Sequence, residues 1–209
     1  MDPKDIVRRG YDAVSARYDQ AYGGELKYQA LMAGLTGRLA AGSHVLDLGC
    51  GSGLPVSQVL TATGHRVTGV DFSEVQIERA RAHVPAATFV CADITAVEFG
   101  PASFDAVVSL FALIHLPLDE QPPLLARLAG WLRPGGLFVA TTGHDAWTGS
   151  EDNWLDGGAA MWWSHADAAA YRDWISAAGL RIEREDFVPE GEGGNEKYGV
   201  EGPVDANAR

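Results

Sequence analysis

Short apolar runs alternate with helically spaced apolar positions through the middle of this chain. His44-Val45-Leu46-Asp47 reads as a strand entering a glycine cluster, and Leu54 to Ala62 as a helix with Pro55 near its first turn. Arg66 to Val70 is a β-branched run ending at Asp71, and Ser73-Glu74-Val75-Gln76 is a capping-box pattern opening a helix to about His83. Thr88 to Cys91 is a third strand that leads to Asp93, and Phe104 to Leu110 a fourth, apolar enough to be buried on both faces. Leu124, Leu125, Leu128, Trp131 and Leu132 follow helical spacing, which Arg133-Pro134-Gly135-Gly136 ends, and Leu137 to Thr142 is a fifth strand. A helix is predicted over Ser164 to Ala178, with Tyr171, Trp174 and Ile175 inward and Gly179 as its stop. Leu180 to Val188 and Glu196 to Val200 follow with no helix between them, as an antiparallel pair. The expected fold class is α/β: a doubly wound, seven-stranded, mostly parallel sheet with helices on both faces and an antiparallel C-terminal edge hairpin. Residues 1–200 read as one domain, with 1–42 as a helical cover and 201–209 as a frayed tail.

Composition narrows the class. At 209 residues, 46% hydrophobic and 21% charged, the chain suits one globular domain rather than a disordered one. The net charge of -12 argues against nucleic acid or an anionic membrane surface as partner. The charge is uneven: residues 145–209 carry fourteen acidic against five basic side chains. Cys50 and Cys91 cannot make a disulfide framework, and no apolar leader or long apolar span appears, so a reduced cytoplasmic location is expected. His and Cys are scattered singly, so no metal is expected.

The candidate chemistry starts at Val45-Leu46-Asp47-Leu48-Gly49-Cys50-Gly51-Ser52-Gly53, where a strand meets three alternating glycines. Such a loop lets a ligand approach the backbone at the carboxyl edge of a sheet, although a tight structural turn would also explain it. The dinucleotide pattern G-x-G-x-x-G fails because Leu54 stands where its third glycine belongs. No Lys followed by Ser or Thr is present for a phosphate loop. Asp71 can accept two hydrogen bonds from a ribose diol, Asp93 can accept from an exocyclic adenine amine, and Phe72 offers a flat face to a base. Either aspartate taken singly could instead cap the following helix. Three consecutive strand ends bearing such groups favour a nucleoside ligand.

These segments resemble the class I S-adenosylmethionine-dependent methyltransferases, which are Rossmann-like, over roughly residues 5–143. VLDLGCGSG is similar to the family's glycine-rich motif, VTGVDFS to its acidic second strand, FVCADI to its adenine-side loop, and FDAVVSLFALIHLP and LRPGGLFVAT to its fourth and fifth strands. The resemblance implies that Asp47 and the loop Gly49-Cys50-Gly51 hold the methionine amino end, Asp71 the ribose, and Asp93 with Ile94 the adenine. It places the backbone of Ser109 and Leu110 beside the sulfonium, and Tyr11 and Tyr18 of a leading helix over the cofactor. An aromatic stripe at that spacing also suits core packing.

The acceptor side is less determined. His115 and His144, after the fourth and fifth strands, are the candidates for a general base, and His165 a weaker one. Residues 145–163 hold Trp147, Trp154, Trp162 and Trp163 among four acids and read as a lid; with Tyr22 and His165 they are the expected substrate-binding set. Acids lining that pocket would favour a neutral or cationic small molecule; acids facing water would favour nothing. The expected activity is methyl transfer from S-adenosylmethionine, leaving S-adenosylhomocysteine, to oxygen or nitrogen of a small metabolite, by a monomer or homodimer. The alternatives are a catalytically idle, cofactor-binding regulatory module and, behind it, an NAD-dependent oxidoreductase.

Overall fold

The computed structural model describes residues 2–22, 27–186 and 198–206. The chain divides into two compact units, residues 1–98 with 150–162, and residues 99–149 with 163–209.

The first unit opens with helix α1 (Pro3–Tyr22) and helix α2 (Lys27–Thr36). Pro3 suits the first helical turn, where its missing N–H costs nothing, and Asp5 complements the helix dipole there. Strand β1 (His44–Leu48), helix α3 (Val56–Ala62), strand β2 (Arg66–Asp71), helix α4 (Glu74–His83) and strand β3 (Thr88–Cys91) follow in strict alternation. The three strands run parallel, with Leu48 opposite Val70 and Asp71 opposite Cys91. Val45, Leu46, Leu48 and Val70 are buried, as two-sided coverage of a parallel sheet demands. Gly69 is needed in β2 because a Cβ there would lie 2.6 Å from the Phe89 ring and 2.9 Å from Cys50 Sγ. Ser73 caps α4 by accepting from the Gln76 amide at 3.0 Å.

The second unit holds strand β4 (Phe104–Ser109), a 3₁₀ turn (Leu113–His115), helix α5 (Gln121–Trp131) and strand β5 (Leu132–Gly143). β4 and β5 are parallel, Val107 lying opposite Phe138 and Ser109 opposite Ala140. Strands β6 (Trp147–Glu151) and β7 (Met161–His165) pair as a two-stranded sheet. Helix α6 (Ala168–Ala177), strand β8 (Arg181–Ile182) and strand β9 (Tyr198–Ala206) complete the unit. β9 is antiparallel to both β5 and β8, so the expected reversed finish is present.

Several boundaries differ from expectation; β5, for one, begins at Leu132 rather than Leu137. α6 begins at Ala168, not Ser164, because Asp167 is the residue whose side chain caps it, accepting from the Ala170 amide at 2.8 Å. Ser164 and His165 instead close β7, and Trp174 is only half-buried. The presumed lid contains two short strands around a turn whose Asn153, Leu155 and Asp156 all have positive φ, a geometry that apolar periodicity does not encode. Glu201 to Ala206 belong to β9 rather than to a frayed tail, because their backbone pairs with β5. The expected strand over 180–188 is the short β8, while 187–197 and 207–209 fall outside the described residues. Among the described residues no helix is long and apolar enough to cross a membrane.

Candidate functional site

In the first unit the glycine loop follows β1 directly. Gly49, Gly51 and Gly53 have φ of 75°, 51° and 80°, the left-handed region that an L side chain resists. A Cβ on Gly51 would meet nothing closer than Gln76 Nε2 at 3.8 Å, so the space beside that backbone is open; Gly53 is instead packed against Val84 and Phe89. The Gly49 and Cys50 amides donate to Val70 O, tying the loop to the end of β2.

Asp71, at the end of β2, accepts from the Gly51 amide at 3.0 Å and the Ser73 amide at 2.9 Å. Burial pushes its pKa up to about 6, with those two amides pulling the other way. Asp47 is 2% exposed and accepts the Ser57 hydroxyl at 2.6 Å. Burial raises it further, to about 7, and the neighbouring Asp71 charge adds to the rise. Asp93 accepts from Thr95 N and Oγ1, both at 2.8 Å, and from Lys4 Nζ at 2.7 Å. Burial raises Asp93, but Lys4 and Thr95 outweigh it and hold the carboxyl below the usual range. Phe72 is half-buried beside Asp71, while Ile94 and Cys50 are buried and burial pushes the Cys50 thiol up.

One face of α1 ties these loops together. Lys4 reaches Asp93, Asp12 accepts from Ser73, Ser15 donates to Gln76 and Asp19 accepts from Ser52 in the glycine loop. Arg79 of α4 joins both Ser15 and Asp19. At about 100° per residue, positions 4, 12, 15 and 19 fall within an arc of roughly 80°. That periodicity was available in the sequence; the partners were not. The flanking face carries the expected tyrosines. Tyr11, Tyr18 and Trp154 are mutually in contact at centroid distances of 5.5, 5.6 and 5.8 Å, and Tyr22 lies 5.0 Å from Tyr18. Arg17 donates to the carbonyls of Leu155 and Asp156, fixing the turn that presents Trp154. Trp162 is half-buried.

In the second unit the end of β4 and the end of β5 carry the remaining groups. The Ser109 hydroxyl is 0% exposed, and neither it nor the Thr142 hydroxyl has a hydrogen-bond partner among the described residues. Ser109 pairs with Ala140, two positions before Thr142, so both hydroxyls project from the same face of the two strands. Leu110 is half-buried, and Phe111, at φ 55°, donates its amide to Thr141 Oγ1. His115, Trp163, Trp147 and His165 form a series of rings with successive centroid distances of 5.8, 6.1 and 6.1 Å. His165 Nδ1 donates to the Asp145 carbonyl at 2.6 Å. His144 is exposed, and its carbonyl accepts from the first amide of α6. Gln121, unmarked by the sequence, is fully buried and binds Leu116 O, Ser164 O and the Tyr171 hydroxyl. Asp145, Glu151, Asp152 and Asp156 are all exposed, so the acidity of this stretch faces water.

Residues 45–136 match the methyltransferase domain family. The 27-O-demethylrifamycin SV methyltransferase of Amycolatopsis mediterranei (strain S699) is 34% identical over 155 residues, 64% of this chain and 56% of that enzyme. This chain spans about half the length of the curated relatives it matches, or less. Among solved structures, magnesium protoporphyrin IX methyltransferase of Synechocystis PCC 6803 with bound SAH has a TM-score of 0.74 at 21% identity, covering 98% of this chain and 99% of that one. The Burkholderia thailandensis 1,6-didemethyltoxoflavin-N1-methyltransferase, with bound 1,6-didemethyltoxoflavin and S-adenosylhomocysteine, has a TM-score of 0.72 at 21% identity over 96% of this chain and 88% of that one. The glycine loop leaves open backbone at Gly51 beside the Asp71 carboxylate, a group able to accept hydrogen bonds from a diol. Over residues 45–136 the chain thus matches the methyltransferase domain, and its fold is that of S-adenosylmethionine-dependent methyltransferases of known structure.

Proposed function

We propose that the chain transfers a methyl group from S-adenosylmethionine to an oxygen or nitrogen of a small molecule. The observation that carries this reading is Asp71, a buried carboxylate held between the Gly51 and Ser73 amides, next to a glycine loop with open space. When bound, the cofactor supplies an electrophilic methyl on a sulfonium. The chain's own residues bind and align. Asp71 accepts from the ribose hydroxyls, Asp93 with Ile94 meets the adenine edge, and Phe72 covers its face. Gly49, Cys50 and Gly51 line the methionine end with backbone, and Asp47, whose carboxyl is held by Ser57, stands on the strand β1 that leads into them. Tyr11 and Tyr18, packed on Trp154, close over that end from α1.

Ser109, the last residue of β4, and Leu110 after it are proposed to meet the cofactor through their backbone. The residues proposed to meet the acceptor are Tyr22 and Trp162 of the first unit and His115, Trp147, Trp163 and His165 of the second; aligning an acceptor with the methyl can supply on the order of 7–11 kcal/mol. His115 or His144 can take a proton where the acceptor carries one. The exposed acids of 145–163 give no support to a cationic acceptor. The relatives' acceptors, a rifamycin among them, support small molecules as the class. The test is a screen of small metabolites for S-adenosylhomocysteine release. Release with none of a broad set by a protein that binds the cofactor would favour the idle binding module.

A further inference from the structure

We propose that Lys4 is a positioning residue for adenine recognition, holding the Asp93 carboxylate so that Oδ2 keeps one acceptor position for the exocyclic amine of the base. This rests on the reading above, in which Asp93 meets the adenine edge of the cofactor.

Lys4, Asp93 and Thr95 close a ring of hydrogen bonds within the first unit. Lys4 Nζ donates to Asp93 Oδ2 at 2.7 Å and to Thr95 Oγ1 at 3.2 Å. The Thr95 amide and hydroxyl each donate to Asp93 Oδ1 at 2.8 Å. An ionised carboxylate offers about four acceptor positions, two on each oxygen. Thr95 fills both on Oδ1 and Lys4 fills one on Oδ2, so among the described residues these bonds leave a single position, on Oδ2 itself. The Asp93 side chain is 30% exposed, which puts the carboxylate within reach of a ligand.

Stability alone does not explain a lysine at this place. Lys4 stands in the first turn of α1, where a cation opposes the helix dipole. Its ion pair is partly exposed, and such pairs add little to a fold. What Lys4 does supply is orientation: without it the carboxylate is held through Oδ1 alone. Burial raises the Asp93 carboxyl, but Lys4 and Thr95 outweigh it and keep the group ionised, hence a pure acceptor. An exocyclic amine donates to such an oxygen in a charge-assisted bond, whereas a purine with hydrogen in place of the amine has nothing to give.

The experiment titrates the parent, Lys4→Met and Lys4→Arg by calorimetry with two probes, S-adenosylhomocysteine and its 6-deamino analogue, in which hydrogen replaces the amine. The parent is expected to prefer S-adenosylhomocysteine by about tenfold or more. Lys4→Met is expected to weaken S-adenosylhomocysteine by about five- to twentyfold and the analogue by less than about twofold, and Lys4→Arg to restore the affinity to within about threefold of the parent. Equal losses on both probes would make Lys4 merely structural, no loss would leave Asp93 independent of it, and tighter binding would make Lys4 a competitor for Oδ2; each overturns the assignment. A parent that binds both probes equally overturns the adenine reading of Asp93 together with the role of Lys4. A parent that binds neither defeats the methyltransfer reading itself. Should Lys4→Met not fold, Thr95→Val decides, because it removes the hydroxyl that joins Lys4 to Oδ1 and keeps the amide. It is expected to weaken S-adenosylhomocysteine by about threefold or more and to spare the analogue, and any other pattern overturns the proposal.

Discussion

Lys4 Nζ lies 2.7 Å from Asp93 Oδ2, fastening the first turn of α1 to the carboxylate beyond the third parallel strand. The pair is partly exposed, so its worth is modest. Lys4→Met is expected to lower stability by about 0.5–1 kcal/mol at neutral pH. Asp93 is held below its ordinary 3.8, so this stabilisation is present above that value and disappears as the pH falls through the lower folded pKa. Denaturant midpoints of both proteins across acid pH should converge. A difference that persists once Asp93 is protonated would contradict the pairing.

Asp71 and Asp47 have the opposite sign. Their pKa values are raised to about 6 and about 7, so the stability tied to their neutral forms is complete below 3.8 and lost as the pH rises through those values. Asp47→Asn, which keeps an acceptor for Ser57, is expected to flatten the decline in thermal stability between about pH 4 and pH 8. An unchanged slope in a melting series would show that the Asp47 carboxyl is not in a low-dielectric site.

The Gln121 amide is the polar centre of the second unit, joining the Leu116 and Ser164 carbonyls to the Tyr171 hydroxyl. Gln121→Leu leaves buried groups unsatisfied and is expected to cost about 2–4 kcal/mol. Urea denaturation checks it; a loss under about 0.5 kcal/mol would mean that water substitutes for the amide.

Gly51 and Gly69 should separate binding from folding. Gly51→Ala meets no atom closer than 3.8 Å, so it is expected to cost about 1–2 kcal/mol through its φ of 51° and to weaken cofactor binding more than it weakens the fold. Gly69→Ala drives a methyl into Phe89 and is expected to destabilise the protein without a direct effect at the loop. Paired melting and titration experiments read the two effects.

Much of the parallel α/β pattern was legible because its signals are local. Val45 to Gly53 announces a strand entering a tight loop, and Ser73 caps α4 as its spacing implies. Asp47 shows what such reading misses: its carboxyl is buried on the Ser57 hydroxyl, ten positions away, a partner the motif does not name. Long-range partners were equally invisible. Nothing near Lys4 in sequence names Asp93, and nothing near Gln121 names Tyr171. The backbone between Asn153 and Gly158 escaped because four positive φ values there suit no periodic pattern. His144 and His165 were separable only in three dimensions, where one is exposed and the other has a fixed tautomer.

The central claim, that this fold holds S-adenosylmethionine on Asp71, is tested most directly by calorimetric titration of the parent and of Asp71→Asn. The account predicts saturable binding of S-adenosylmethionine and S-adenosylhomocysteine by the parent, no response to NAD, and an affinity lower by about ten- to a hundredfold in the variant. Equal affinity in both proteins, or binding of NAD in place of S-adenosylmethionine, would contradict it.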